Sequence, residues 1–274
     1  KILSMFNNMT PVVKQLLIIN VLVFILSQVM PQNYEMLSLY YFESEKFRFW
    51  QPFTHMFMHA KMPNLMHILF NMFALVSFGT ALEHYWGGKK FLFFYIACGL
   101  GAAMLHMGMT YYEIHHGIDT LSNGVLSGAD ISQLLKTDII DGDKIYLKPM
   151  VDANPEIFNK IQDPNFDGQA FLNTVSKAYI PAVGASGAIY GLLVAFAVMF
   201  PMAELMMMFI PVPIKAKFFV PIIVGLDLFS GVTGFSIFSG GGGIAHFAHV
   251  GGALTGFILM MLWKNNKFTH TRWN

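Results

Sequence analysis

The chain has 274 residues, of which 55% are hydrophobic and 12% are charged, and its mean hydropathy is +0.51. Because the apolar residues fall in long blocks, this composition excludes a soluble protein built around one core. The formal net charge of +1 says nothing about partners by itself, and we expect no nucleic-acid partner. A single cysteine, Cys98, excludes an intramolecular disulfide and a Cys-based zinc site. We therefore predict an integral membrane protein, with the lipid bilayer as its surroundings.

Six apolar blocks are each long enough to cross, or nearly cross, a bilayer; they lie near residues 12–30, 64–82, 91–110, 184–200, 216–237 and 244–263. The first block lacks a small-residue cleavage site, so we interpret it as an uncleaved signal anchor. Lysine and arginine residues flank alternate ends of the blocks, which predicts that both termini are cytoplasmic. No organelle-targeting segment is visible, so we expect a bacterial plasma membrane.

The interval 112–180 differs sharply from the blocks on either side. It holds ten of the sixteen acidic residues and five lysines, a net charge of −5. Helix starts are predicted at Asp130, at Asn154 and near Phe171. We therefore predict an all-α membrane protein. Residues 1–111 (helices 1–3 and the first external loop) and residues 181–274 (helices 4–6) form one membrane domain, and residues 112–180 form a small extracytoplasmic, helical insert.

The fourth block opens with small residues around Ser186. A helix from Gly184 to Phe200 would be about 25 Å long, shorter than the ~30 Å hydrocarbon core, so its start would lie below the membrane surface. There Ser186 would sit among free backbone N–H groups at the positive end of the helix dipole, where an oxyanion is stabilised. Small residues in membrane helices also serve close packing, so this stretch alone leaves both interpretations open.

Two further blocks carry polar residues that bear on this choice. His67 and Asn71 are four residues apart on one helix face and can donate hydrogen bonds to one point, although such a pair can also simply join two helices. His249 precedes Gly252 and Gly256, which lie near its own face and permit close approach of another helix. The fourth block has a matching pair of glycines. A serine and a histidine on two such helices can come within hydrogen-bond reach, as a nucleophile and its base must.

These motifs resemble those of the rhomboid family of intramembrane serine proteases, in its bacterial, six-helix form. The run from Gly184 to Gly187 matches the family's Gly-x-Ser-Gly. Ala248-His249 with its two later glycines matches Ala-His-x-x-Gly-x-x-x-Gly, and His67 with Asn71 matches His-x-x-x-Asn. The resemblance covers the six blocks, while the insert stands where the family usually has a short loop.

The resemblance implies a role for each matching residue. Ser186 would be the nucleophile and His249 the general base and then acid. His67, Asn71 and the backbone N–H of Ser186 would line the oxyanion hole. Tyr190 would support the ring of His249.

Other matching positions would be structural. Gly184, Gly252 and Gly256 would support the site, and Glu83 resembles a structural carboxylate of the family. Gln51 follows Trp50 where many members carry arginine, which puts an ion pair made by that arginine in doubt.

Three other features have competing interpretations. His246 lies one turn before His249 but lacks the glycine pattern, so we do not expect it to be the catalytic histidine. Asp227 could complete a Ser-His-Asp triad, but the family resembled uses a dyad, so we expect a structural hydrogen bond. The segment with His55, Met56, Met58, His59, Met62 and Met66 is typical of soft-metal transport. Methionine is abundant throughout the chain, however, so packing is the expected role.

The sequence therefore predicts a serine endopeptidase that hydrolyses peptide bonds in or near transmembrane segments of membrane proteins, with no cofactor and no metal. One alternative is an inactive rhomboid relative that binds and escorts membrane clients. A metal transporter is the other. The sequence does not predict the substrate or the oligomeric state.

Overall fold

The computed structural model describes residues 8–141, 144–161, 163–207, 210–235 and 244–264. The helices, in chain order, are α1 (Pro11–Val29), α2 (Pro31–Leu37), α3 (Gln51–Thr54), α4 (Leu65–Ala74), α5 (Thr80–Trp86), α6 (Gly88–Leu121), α7 (Gly128–Leu134), α8 (Lys148–Ala153), α9 (Pro155–Phe158), α10 (Gly168–Ser176), α11 (Ser186–Met199), α12 (Ala216–Thr233) and α13 (Ile244–Lys264). Short 3₁₀ turns follow α3 and α10, and a π-helical turn, Leu75–Gly79, joins α4 to α5.

Five helical segments in the described part of the chain are long and apolar enough to cross a membrane. They are α1, the continuous segment Leu65–Trp86, α6, α12 and α13, and α11 is a sixth, shorter apolar helix. The chain is therefore a polytopic, mostly helical membrane protein, as the sequence predicts. α11 begins at Ser186, two residues later than expected, and its 14 residues span only about 21 Å. A helix this short does not cross the ~30 Å hydrocarbon core by itself.

The membrane helices pack around α6, α11 and α13, which lie side by side at the centre. The large fully buried side chains of the main core include Phe91, Phe94 and Tyr95 of α6 and Leu82 of α5. Lipid-facing positions of the same helices expose apolar side chains, as at Leu22 and Phe93. This distribution suits helices that contact protein on one side and hydrocarbon on the other.

A buried carboxylate holds the start of α1. Glu83 accepts hydrogen bonds from the main-chain N–H groups of Val12 and Val13, at 3.0 and 2.8 Å, and from the hydroxyl of Thr10 at 2.5 Å. The first N–H groups of a helix have no partner within the helix, and a negative charge there also complements the helix dipole. Glu83 therefore fixes α1 against α5, which is the structural role that the resemblance implied for it.

The insert has its own hydrophobic core, which is built on the second half of α6. With 34 residues, α6 is about 20 Å longer than a hydrocarbon core is thick. Ile114 and Ile118 of α6 are fully buried against Phe171 and Val175 of α10 and other insert residues. Lys177 forms an ion pair with Glu113 at 2.6 Å. The insert is therefore folded, and it packs against the C-terminal part of α6.

Two of the three helix starts predicted within the insert lie about three residues upstream of the predicted position. α7 is capped by Ser127, and Asp130 is the third residue of its first turn, where its carboxylate accepts from the Ser127 N–H. Ser and Asp three residues apart form a capping box, so the cap lies upstream of the residue predicted. Asn154 precedes α9 as predicted. α10 begins at Gly168, three residues before Phe171, because Asp167 accepts from two N–H groups of its first turn.

Two short hairpins were not predicted from the sequence. One pairs β1 (Ile140–Asp141) with β2 (Lys144–Ile145) in the insert, and the other pairs β3 (Glu204–Met207) with β4 (Ile210–Lys215) between α11 and α12. Both pairs are antiparallel. β4 contains two prolines at alternate positions, which lack the N–H that a sheet needs, so it suits a two-stranded ribbon rather than a larger sheet.

The segment between α2 and α4 links the insert to the start of α11. Leu39 and Ala182 exchange two main-chain hydrogen bonds, at 2.9 and 2.8 Å. Glu43 accepts from Tyr41, from Ser132 of α7 and from His115 of α6. Burial alone would raise the pKa of the Glu43 carboxyl, but these hydrogen bonds outweigh burial and hold it below its usual range. The segment between α2 and α4 is therefore joined to the insert and to the start of α11 by direct hydrogen bonds.

Gln51 shows how this segment is held at the position where the resemblance implied an arginine. Its side chain is fully buried, its Oε1 accepts from the Tyr40 N–H at 3.2 Å, and its Nε2 donates to the Lys46 carbonyl at 3.0 Å. A neutral amide thus joins two parts of the segment between α2 and α4, and no buried charge is needed.

Candidate active site

The approach to α11 is held in a conformation that only glycine adopts easily. Gly184 has φ = +130°, a region that residues with a Cβ rarely occupy. Its N–H donates to the His55 carbonyl at 3.0 Å. The chain then turns directly into α11, so that Ser186 is the first helical residue and its N–H has no acceptor within the helix. The segment between α2 and α4 therefore helps to fix where α11 begins and where Ser186 lies.

Ser186 and His249 are in direct contact. Ser186 Oγ lies 2.9 Å from His249 Nε2, although the two residues are 63 positions apart in the chain. Both side chains are partly buried, and about a quarter of the His249 side chain is exposed (25%). The arrangement is that of an alcohol and a base within hydrogen-bond distance, open on one side to a reacting group.

Glycines bring the two helices close enough for this contact. A Cβ on Gly252 would lie 1.8 Å from the carbonyl oxygen of Gly187, and one on Gly256 would lie 2.7 Å from the Cα of Gly191. Both distances are below 3.0 Å, which real Cβ atoms essentially never show. The backbones of α11 and α13 therefore touch at both levels, one turn and two turns beyond His249.

The imidazole ring of His249 also packs against an aromatic ring. Tyr190, one turn after Ser186 on α11, stacks on the imidazole with ring centroids 4.3 Å apart and an interplanar angle of 10°. Its hydroxyl donates to Asp227 of α12. The stack restricts rotation of the imidazole, so Nε2 stays directed at Ser186.

His67 lies on the other side of the serine. Its Nδ1 accepts from the Ala60 N–H at 3.2 Å, so the neutral ring carries its proton on Nε2. The point that a Cβ on Gly184 would occupy is 3.2 Å from His67 Nε2 and 3.3 Å from Ser186 Oγ. The absence of that Cβ leaves room for a reacting atom within reach of both an alcohol and an N–H donor.

Asn71 is on the same face of α4, but its contacts are internal. Its Nδ2 donates to the His67 carbonyl at 2.7 Å, and its buried Oδ1 has no partner among the described residues. An amide nitrogen carries two protons, so one remains to donate elsewhere. The structure thus brings Asn71 beside His67 without a direct contact to Ser186.

Asp227 contacts both histidines of α13, including the triad contact with His249 that the sequence left as the less favoured alternative to a structural hydrogen bond. Its Oδ1 lies 2.5 Å from His246 Nδ1 and 3.2 Å from His249 Nδ1. The side chain is buried, with 10% of its surface exposed. One carboxylate in an otherwise apolar helix was the available signal, but only the packing of α12 on α13 shows which histidine it reaches.

These three side chains are also the one group of His, Cys, Asp and Glu ligands in the described residues that could surround a metal ion. Their ligand atoms lie within 4.8 Å of one another. The hydrogen bonds between those same atoms account for this proximity, and we assign them no metal.

The histidine- and methionine-rich segment after α3 is mostly packed into the protein. His55, Met56, Met58 and His59 are buried. His55 Nδ1 donates to the Gln51 carbonyl, and His59 Nε2 is 2.9 Å from the Asn20 side-chain oxygen. These contacts favour packing over metal transport.

Comparison with known proteins agrees with the motifs. The model of the rhomboid domain family matches residues 46–142 and 166–265. A Schizosaccharomyces pombe protein described as an uncharacterized mitochondrial rhomboid protein is 28% identical over 224 residues. That alignment covers 79% of this chain and 52% of the relative, so the chain spans about half the relative's length. Because the family model matches well over half of the residues, this chain belongs to the rhomboid family.

Proposed function

We propose that the protein is an intramembrane serine protease that cleaves membrane proteins in or near their transmembrane segments. The contact between Ser186 Oγ and His249 Nε2 carries this proposal. A histidine and a serine within membrane helices are costly to place there, which makes a functional role the first hypothesis. Their 2.9 Å contact is the one that a nucleophile and its general base require. Family membership supports the same reaction class.

In this mechanism, His249 Nε2 takes the hydroxyl proton of Ser186 while Oγ attacks the scissile carbonyl carbon. The negative charge on the carbonyl oxygen is stabilised by His67 Nε2–H and by the backbone N–H of Ser186, with Asn71 as a further donor. His249 then gives its proton to the leaving amine as the C–N bond breaks. A water molecule, deprotonated by the same imidazole, then attacks the acyl-enzyme. The bond from the acyl carbon to Ser186 Oγ breaks, and His249 returns the proton to Oγ as the second product leaves.

The depth of the site suggests which substrates are cleaved. An intact helix keeps its carbonyls in internal hydrogen bonds, and a lipid-exposed segment cannot leave them free. A substrate must therefore present a locally unwound stretch to Ser186. We infer that segments with helix-breaking residues near one membrane surface are preferred.

The site faces the side of the membrane that carries the insert. We propose that residues 112–180 lie outside the cytoplasm, that both termini are cytoplasmic, and that residues 1–111 and 181–274 act as one membrane domain. A bacterial plasma membrane was expected from the sequence, but the relative is described as mitochondrial. The topology is tested by adding a protease to the outer side of intact cells or oriented vesicles. Cleavage within the insert is the expected result, and protection of the insert would contradict the topology.

Covalent labelling tests the catalytic proposal. A fluorophosphonate probe should react with the purified protein at Ser186, and the protein should cleave a membrane-anchored peptide substrate. Ser186→Ala and His249→Ala should each remove cleavage, and the double variant should be no worse than either single variant, because residues that act as one unit are non-additive. Substantial turnover by Ser186→Ala would refute the proposal. An inactive client-binding protein would neither label nor cleave, yet would still bind a transmembrane segment.

A further inference from the structure

Three donors converge on one carboxylate beside the proposed active site. Asp227 accepts from the Tyr190 hydroxyl at one oxygen, and its Oδ1 faces His246 Nδ1 at 2.5 Å and His249 Nδ1 at 3.2 Å. An ionised carboxylate only accepts hydrogen bonds, so both facing imidazole nitrogens must carry protons. In a neutral imidazole, a proton on Nδ1 leaves Nε2 as the acceptor.

The position of this proton determines whether His249 can act as a base towards Ser186. With its proton on Nδ1, the ring presents an unprotonated Nε2 to the hydroxyl of Ser186, 2.9 Å away. The other tautomer would place N–H against O–H and could not accept the serine proton. When the proton is transferred, the imidazolium lies beside a buried negative charge, which stabilises it.

We propose that Asp227 is a positioning residue for His249, so that the protein uses a Ser186–His249–Asp227 triad rather than a dyad. This inference rests on the proposed protease function and extends it. Asp227 touches no substrate atom; it acts through the tautomer and orientation of His249. The carboxylate comes from α12, a helix that carries no other part of the proposed site.

Each neighbour of His249 has a separate contribution in this arrangement. Tyr190 stacks on the ring and holds the second carboxylate oxygen. His246, on the same helix, shares Oδ1, and its own Nε2 is buried without a partner among the described residues. His67 faces the site from α4. These groups, with Asp227, are the titratable side chains that surround His249 from α4, α11, α12 and α13.

The first experiment compares the wild type with Asp227→Asn, which keeps the size of the side chain and removes its charge. We expect kcat to fall by at least about 10²-fold, since loss of such a carboxylate costs up to about 10⁴-fold in related arrangements. The acidic midpoint of the pH profile of kcat/KM should also move to lower pH, because the imidazolium loses its negative neighbour. Glu83→Gln is the matched control. It neutralises another buried carboxylate, far along the chain, and should leave the midpoint in place.

A purely structural role for Asp227 predicts a different result. If Asp227 serves only to hold His246, His246→Asn should reproduce both the loss of kcat and the shift of the midpoint, and that outcome would overturn the proposal. Under the proposal, His246→Asn frees Oδ1 for His249 and costs much less than Asp227→Asn. Cleavage and labelling of Asp227→Asn at wild-type rates would also overturn it.

One measurement is made on the wild-type protein, so it does not depend on whether an Asp227 variant folds. Nitrogen-15 NMR of histidine-labelled wild-type protein in detergent micelles, with His249 assigned by its absence in His249→Gln, reports which ring nitrogen carries the proton. A proton on Nδ1 supports the proposal, and a proton on Nε2 refutes it. The experiments distinguish failure of the proposed protease function from failure of the proposed role of Asp227. If the wild type neither labels at Ser186 nor cleaves substrate, the protease function fails. If it labels but His249 carries its proton on Nε2, only the role of Asp227 fails.

Discussion

Replacing Gly252 with alanine should inactivate the protein by separating two helices. The added Cβ would lie 1.8 Å from the Gly187 carbonyl oxygen, whereas ordinary contact begins at 3.4 Å. The neighbour is backbone, so no side chain can move aside, and the helices must separate locally by about 1.6 Å. Gly187 is adjacent to Ser186, and Gly252 is one turn from His249.

The contact between the two proposed catalytic groups has no room for such a movement. Even half of the displacement would lengthen the 2.9 Å contact between Ser186 Oγ and His249 Nε2 to about 3.7 Å, beyond hydrogen-bond distance. A misplacement of 1 Å costs about 10²-fold in rate. We therefore expect Gly252→Ala to lower kcat by about 10²-fold or more, and overpacking to reduce the free energy of unfolding by about 1–3 kcal/mol.

The assay is cleavage of a fluorogenic membrane-anchored peptide in detergent and in vesicles, with thermal unfolding measured on the same samples. Gly108→Ala is the matched control, because a Cβ at this exposed α6 glycine meets nothing within 4 Å. It should keep both activity and stability. A folded Gly252→Ala protein with wild-type turnover would show that α11 and α13 need not touch for the site to work.

The remaining predictions concern other parts of the protein. His67→Ala should lower kcat by about 10²–10³-fold through loss of one oxyanion donor, and an unchanged kcat would contradict the role of His67. Asn71→Ala should lower kcat by a smaller factor, since the Asn71 amide already donates within α4. Glu83→Gln should lower the free energy of unfolding by about 1–3 kcal/mol, measured by thermal melting, because N–H groups at the start of α1 lose a charged acceptor. Hydrogen bonds from Lys160 and Ser127 lower the pKa of Asp130 to about 2. Its stabilising effect is therefore complete above the ordinary value of 3.8 and is lost as pH falls towards 2. Limited proteolysis of the insert should then accelerate below about pH 4, and Asp130→Asn should remove part of that pH dependence.

The site illustrates where sequence patterns stop being informative. The spacing of His249, Gly252 and Gly256 follows from helix periodicity, so the sequence alone places these residues on one face of one helix. Asp227 has no such pattern around it. Its partner lies on another helix, and the choice between His246 and His249, or both, depends on the rotation of α12 about its own axis.

Length, composition and the periodic motifs alone determined that this is a membrane protein with several spanning helices, and they identified the serine, the histidines and the glycines of the candidate site. Such features are local, because each is set by residues within a few turns of one another. Only the tertiary structure decided that the second half of α6 supports the core of the insert, that Gly184 leaves a space between Ser186 and His67, and that Asp227 meets His249. These are contacts between segments far apart in the chain. They depend on how whole helices pack, which the pattern within any single helix leaves open.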